Sequence, residues 1–466
     1  MRLIELKNKR VTVLGLGLLG GGVGVVKALA SVGAHVVVTD IKTKDQLAPS
    51  LALLSKIRGV EYVLGQHRDE DFTRADLVVK SPGILWTHRY VQLALSHNVP
   101  VHTDASLFFQ LCKNPIIGVT GTKGKTTTTY AIDHLLRHAG VRSLLVGADT
   151  TSVLDRLALL KDDSVVVFEL SSWRLSAFDK IAKSPHIAVF TSFFPDHMNY
   201  YKTVDAYFFD KSQIFLHQKS SDFCVYPSSN ERISSAVSMV PSRAFSFGVG
   251  SSSEFPSLSL SDDTIVYYKN ADSFDVLCDV SSLLVSGEHF VRDLLAAASA
   301  VLCYGVHLPK VVSGLKTFAG VPHRMEVVRT INGVRYVNDT TATVPEASIA
   351  ALKSFSSYSV YLIAGGSDKN LDFSSLGRAI ADYAKGVVFL KGAGTDKLLL
   401  ALKVFFPEEE SRSFVVVESM GKAVEILSRQ AHEGDVVLLS PGAASFGLFA
   451  NEFDRGEQFR AVVEAL

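Results

Sequence analysis

Short apolar, β-branched runs alternate with stretches of helical periodicity along most of the chain. Residues 11–14, 35–39, 77–80 and 99–102 read as buried strands, and an amphipathic helix over 20–31 separates the first two. After a turn near 111–115 a second series predicts strands at 116–120, 143–146, 165–170 and 187–191, with a helix near 125–139. A third series places strands at 334–337, 360–364, 386–390, 414–417 and 436–439. Strands spaced by helices predict mainly parallel, doubly wound sheets. Between 220 and 286 serines crowd the sequence and helix signals thin out. Strand-like runs at 222–226 and 264–268 make this a β-rich elaboration of the middle region, and a helix around 290–304 follows.

The 466 residues suit three domains of ordinary size. The expected fold is α/β in three tandem domains: Rossmann-like over 1–112, P-loop-like with the β-rich elaboration over 113–321, and Rossmann-like over 322–466. Lysine plus arginine and aspartate plus glutamate both number 47, so no global charge favours nucleic acid or an anionic membrane. The 4 cysteines are scattered without a CxxC pair, which argues against a zinc site or a disulfide framework. No apolar stretch is long enough for a membrane span, and no signal peptide is visible, so a cytoplasmic location is expected.

Two glycine-rich turns carry phosphate chemistry. Gly15-Leu16-Gly17-Leu18-Leu19-Gly20 joins the first strand to the first helix, with Asp40 at the end of the second strand. Glycines admit a phosphate to the backbone, the helix start offers unpaired N–H groups, and the acid can reach ribose or base. Alone, this motif points to NAD as readily as to another nucleotide. The second turn, Gly121-Thr122-Lys123-Gly124-Lys125-Thr126-Thr127, also lies between strand and helix. Its N–H groups can cradle β- and γ-phosphates, with Lys125 against them and the Thr126 hydroxyl on Mg²⁺. It departs from the strict P-loop spacing, since Gly121 and Gly124 are only three apart. Downstream, Glu169 closes a strand, Asp196-His197 follows the next, and Lys211 falls on a helix.

In this order the motifs resemble those of the Mur ligase family, the ATP-dependent amide ligases of peptidoglycan precursor synthesis. The likeness spans the chain. It includes Ser81-Pro82-Gly83-Ile84, Glu169-Leu170-Ser171-Ser172-Trp173, Pro322-His323-Arg324-Met325-Glu326, Asn338-Asp339-Thr340-Thr341-Ala342-Thr343, Gly365-Gly366-Ser367-Asp368-Lys369 and Ser440-Pro441-Gly442-Ala443-Ala444-Ser445.

The resemblance implies a ligase that adds glutamate to UDP-N-acetylmuramoyl-L-alanine through an acyl phosphate, with ATP and two Mg²⁺ as cofactors and small-molecule substrates as partners. It implies that Gly17, Leu18 and Gly20 face the UDP diphosphate, that Asp40 lies at the uracil end, and that Ser81 and Gly83 belong to the same pocket. Gly121, Thr122, Lys123, Gly124, Lys125, Thr126 and Thr127 would hold ATP with Arg324 and Asp339. Thr126 and Glu169 would share one Mg²⁺ and His197 would ligate a second, beside a carbamylated Lys211. Lys125, His197 and Lys211 are the implied catalytic set, and Thr343, Lys369 and Ser445 would surround the incoming glutamate. Closure of the third domain onto the second is the implied way to exclude water from the acyl phosphate.

Several positions depart from the family pattern. Thr341 stands where a lysine is usual, with Lys391 a candidate substitute. Asp149 and Asn199 replace an asparagine and an acid. Phe290 and Asp293 replace two asparagines at the adenine pocket. The alternatives are a related ligase taking L-glutamate or another amino acid, a folylpolyglutamate-type enzyme, a nicotinamide dehydrogenase, or a non-catalytic nucleotide-binding homologue. The folate ligases lack the first glycine-turn domain, and a dehydrogenase has no use for the second phosphate loop.

Overall fold

Three sheets organise the protein. A computed structural model describes residues 2–18, 20–148, 152–198, 200–250, 254–285, 287–368, 371–406 and 414–466; Asp149, Asn199 and Lys369 lie outside the described residues.

The first sheet holds β1 (Arg10–Leu14), β2 (His35–Asp40), β3 (Val60–Leu64), β4 (Leu77–Lys80) and β5 (Val101–His102) in the order β3-β2-β1-β4-β5. Every pairing is parallel. Residues 11–14 of β1 are all buried, as a central strand covered on both faces must be, hence its unbroken apolar run. The strand order reverses between β1 and β4, which opens the crevice where such sheets take ligands.

The second sheet comprises β6 (Ile116–Thr120), β7 (Ser143–Val146), β8 (Val165–Glu169), β9 (Ile187–Phe190), β10 (Phe223–Pro227), β11 (Arg243–Val249), β12 (Ser257–Ser261), β13 (Thr264–Asn270) and β14 (Ser273–Asp279). Its order is β14-β13-β12-β11-β10-β9-β6-β8-β7. The serine-rich segment extends this sheet directly, β13 and β14 adding as antiparallel strands. The third sheet orders β15 (Glu326–Ile331), β16 (Val334–Asn338), β17 (Val360–Ala364), β18 (Ala384–Leu390), β19 (Val415–Val417) and β20 (Val436–Leu439) as β15-β16-β20-β17-β18-β19. Only β15 runs antiparallel to its neighbour.

The chain divides into two compact units, 1–280 with 292–315, and 281–291 with 316–466. The first two sheets share one unit and one apolar core, which joins Val11 and Val36 to Phe168 and Phe190. The boundary expected at 112/113 therefore falls inside a unit. No helix among the described residues is long and apolar enough to cross a membrane.

Candidate functional site

The phosphate loop follows β6 and opens the helix Lys125–His138, whose N-cap, Gly124, sits at φ +87°. No side chain caps this end, so the first N–H groups of a 14-residue helix face outward with the positive end of its dipole. Glycine is required at 124: φ is positive, and an added Cβ would overlap the Asp293 carboxylate. At Gly121 an added Cβ would strike the Thr191 hydroxyl. The loop is clamped from the end of β9, where Thr122 N donates to Ser192 O (2.8 Å), Lys123 N to Ser192 Oγ (2.9 Å) and Thr191 Oγ1 to Lys123 O (2.5 Å). Thr191 and Ser192 escaped the sequence reading, because a hydroxyl after a strand has no motif of its own.

Two lysines converge on this loop. Lys125 Nζ donates to the carbonyls of Gly121 and Thr122, each at 3.1 Å, and Lys211 Nζ donates to Gly121 O at 2.6 Å. Lys211, on the helix Val204–Ser212, is only 1% exposed. Burial first, then the nearby Lys125 charge, push its pKa down to about 6, against the opposing pull of Asp196 and Glu169. Its side chain is thus mostly an uncharged amine at neutral pH.

Glu169 ends β8 as a half-buried acid beside this group. His197 takes φ +56°, its N–H donates to Asp196 Oδ1 (2.8 Å), and its ring lies 5.2 Å from that of Trp173. Asp196 also pairs with Lys123 at 3.8 Å. Among the described residues no three His, Cys, Asp or Glu side chains gather into a metal-binding cluster. The hard oxygens of Thr126 and Glu169 suit Mg²⁺, which commonly takes one or two protein ligands and completes its shell with phosphate and water.

Asp293 lies under the same loop. It is tied to Thr127 by a side-chain hydrogen bond, and its backbone carbonyl accepts from Thr128 Oγ1 at 3.4 Å. Burial raises its pKa to about 8, opposed by Thr127 and Lys125. At neutral pH its carboxyl is therefore mostly protonated. Phe290 is buried at 5% exposure with its ring 4.3 Å from that of His289.

The first glycine turn borders a cavity of about 650 Å³, lined by Gly17, Leu18, Ser81, Gly83, Trp173 and Arg174 among others. That volume suits an organic ligand of moderate size. Arg174 is held in place by Gly147 O (3.0 Å), Glu169 O (3.3 Å) and Asp104 (3.7 Å). Neither Gly20 nor Asp40 lines the cavity. Gly20 is the N-cap of the helix Gly21–Ser31 at φ +83°. Asp40 is buried at 5% exposure, and its oxygens accept from the amides of Leu16 (3.0 Å), Gly17 (3.2 Å) and Lys42 (2.9 Å). The family resemblance implies that Asp40 lies at the uracil end; its carboxylate oxygens here hold the glycine turn.

In the C-terminal unit, Arg324 is presented between His323 (φ +65°) and Met325 (φ +46°), both in a left-handed backbone that non-glycine residues adopt uncommonly. Asp339 accepts from Ser440 Oγ (2.8 Å) and Met325 N (3.2 Å), and burial raises its pKa to about 7. Thr341 uses its hydroxyl on His323 O at 3.0 Å, and Lys391 is paired with Glu418 at 2.5 Å. Thr343 follows in the same loop, its N–H donating to Thr341 O at 2.9 Å. Ser445 is buried at 3% exposure, with no hydrogen-bond partner for its hydroxyl among the described residues. A ligand would supply what that hydroxyl lacks.

A glycine-lysine loop that opens a helix beside a strand-end acid is the build of a nucleoside-triphosphate-binding protein. The family description "Mur ligase MurD-like, N-terminal domain" matches residues 9–103, "Mur ligase middle domain" 119–301, and "Mur ligase, glutamate ligase domain" 323–442. A UDP-N-acetylmuramoylalanine–D-glutamate ligase of Roseiflexus sp. (strain RS-1) is 39% identical, over 99% of this chain and 100% of that protein. The enzyme of that name from Borreliella afzelii (strain PKo) is 36% identical over the full length of both. The fold is similar to that of the solved UDP-N-acetylmuramate-alanine ligase of Thermotoga maritima, with a TM-score of 0.56 and 20% identity over 98% of this chain and 99% of that one. The chain belongs to the Mur ligase family.

Proposed function

We propose that the protein is an ATP-dependent ligase that joins D-glutamate to UDP-N-acetylmuramoyl-L-alanine during peptidoglycan precursor synthesis, in the cytoplasm. The full-length likeness to relatives bearing that name supports the substrates. The single observation that carries the chemistry is the phosphate loop, with Lys125 and the uncapped N-terminus of the helix Lys125–His138 on one side and Lys211 on the other. The domain limits 1–112, 113–321 and 322–466 suit this division of labour.

In this reading the alanyl carboxylate attacks the γ-phosphorus of ATP, ADP leaves, and an acyl phosphate forms. The glutamate amine then adds to the acyl carbon, and phosphate departs as the amide forms. Gly121, Thr122, Lys123, Gly124 and Thr127 hold the phosphates, and Lys125 neutralises charge on the transferring group. Thr126, Glu169 and His197 would hold Mg²⁺, which supplies charge neutralisation at the phosphates when bound. The lowered basicity of Lys211 supports its carbamylation, since an uncharged amine is the form that attacks carbon dioxide. In the N-terminal cavity Gly17, Leu18, Ser81 and Gly83 would bind the UDP moiety, with Gly20 shaping the turn and Asp40 securing it. Arg324 and Asp339 are the proposed nucleotide contacts of the C-terminal unit, and Thr343, Lys369 and Ser445 its amino-acid contacts.

The test is phosphate release from ATP and UDP-N-acetylmuramoyl-L-alanine against a panel of D- and L-amino acids. D-Glutamate should give the highest kcat/KM of the panel; a higher kcat/KM with L-glutamate or a neutral amino acid would refute the substrate assignment.

A further inference from the structure

Arg455, on the helix Glu452–Glu464, is wholly buried at 0% exposure. It makes no ion pair with a carboxylate among the described residues, and burial lowers its pKa to about 10, with Glu452 opposing. It stays protonated at neutral pH, a buried cation satisfied only by uncharged acceptors. Nε donates to Thr340 Oγ1 (3.0 Å), Nη2 to Thr340 O (2.8 Å) and Nη1 to Ala443 O (3.1 Å).

Those acceptors lie in two different loops. Thr340 follows β16 and Ala443 follows β20, strands that pair in parallel through Asn338 and Leu439. The first loop carries Asp339 and Thr343, and the second carries Ser445. The loops are also joined near the strands, by Ser440 Oγ to Asp339 and by Gly442 N to Ala342 O (2.9 Å). A third loop packs in through Ser367 N to Ala444 O (2.8 Å). An apolar side chain of similar size would fill the space without the desolvation that a buried charge demands. What the guanidinium adds is a fixed fork across two loops and a positive field in a poorly screened interior.

We propose that Arg455 is a positioning residue for the amino-acid substrate: it locks the Thr340 and Ala443 loops in register and supplies a buried positive charge that favours an acidic amino acid over its neutral isostere. This rests on the ligase reading, and its test separates the two. Arg455→Met and Arg455→Gln remove the charge, while Arg455→Lys keeps it. The neutral variants should lower the ratio of kcat/KM for glutamate over glutamine at least tenfold, with KM for the UDP-substrate unchanged within twofold. Arg455→Lys should preserve the ratio while raising KM for glutamate. Equal losses for both amino acids would overturn the proposal, because a purely structural clamp would act on them alike.

A second measurement needs no turnover and no variant at 455. Thr340→Val, which removes one acceptor, should speed amide hydrogen exchange in the opposite loop, residues 442–446, and Thr340→Ser should restore it. Unchanged exchange there would overturn the proposal even if the neutral variants failed to fold. An unmodified enzyme that releases no phosphate would refute the ligase reading, whereas the exchange result would stand by itself.

Discussion

The side-chain nitrogens of Lys125 and Lys211 meet on one acceptor, the carbonyl oxygen of Gly121, at 3.1 and 2.6 Å. Two ammonium groups so placed repel, and the more deeply buried one gives up its proton. One loop thereby holds a cation for phosphate and a neutral amine for chemistry.

Replacing Lys125 by alanine should lower turnover by about 10³-fold, the scale of losing a charged donor at a transferring group. Phosphate release in single-turnover mode checks it. Binding of the UDP-substrate, measured by calorimetry, should be unaffected.

Lys211→Arg replaces an amine that can lose its proton with a group that cannot. The arginine variant should be inactive, and wild-type protein in ¹³C-bicarbonate should give a carbamate carbon resonance that the variant lacks. Because the Lys211 pKa lies near 6, activity should also fall as pH drops below that value, when the ammonium form takes over.

Asp40→Ala would leave the amides of Leu16, Gly17 and Lys42 without their acceptor. Orphaning buried donors costs about 1–3 kcal/mol each, so the glycine turn should loosen. The expected result is a KM for the UDP-substrate raised roughly tenfold or more, with KM for ATP unchanged.

Asp293 gives a pH signature. Its folded-state pKa, about 8, lies above the ordinary 3.8, so the folded protein holds a proton that the unfolded chain releases. Stability therefore falls as pH rises between those values and levels off above about 8. Asp293→Asn should remove that slope and stabilise the protein at pH 9 by about 1–3 kcal/mol, readable in thermal melts across pH.

Much of this architecture is legible in the residue order. Strands β4, β6, β17 and β20 fall where continuous apolar runs mark buried parallel strands, and Gly124-Lys125 sits at its helix start as expected. The edge strand β3 is harder to see, because four of its five residues, all but Val63, are not buried and its pattern is broken. β15 has the same difficulty, with only Glu326 buried. In the site, loop residues that touch phosphate chemistry announce themselves by glycine and lysine. The residues that hold them do not. Thr191, Arg174 and Arg455 act through backbone carbonyls of segments distant in sequence, and such pairings leave no local spacing to read. Asp40 shows the converse: a strand-end acid carries the motif, yet only the fold reveals that its oxygens face the turn.

The central claim is that ATP activates the alanyl carboxyl group. UDP-N-acetylmuramoyl-L-alanine labelled with ¹⁸O in both carboxylate oxygens, turned over with ATP and D-glutamate, tests it most directly. Each released phosphate should carry one ¹⁸O from the substrate carboxylate, because that oxygen bridges carbon and phosphorus in the acyl phosphate and leaves with phosphorus. Amide product accompanied by unlabelled phosphate would contradict the account.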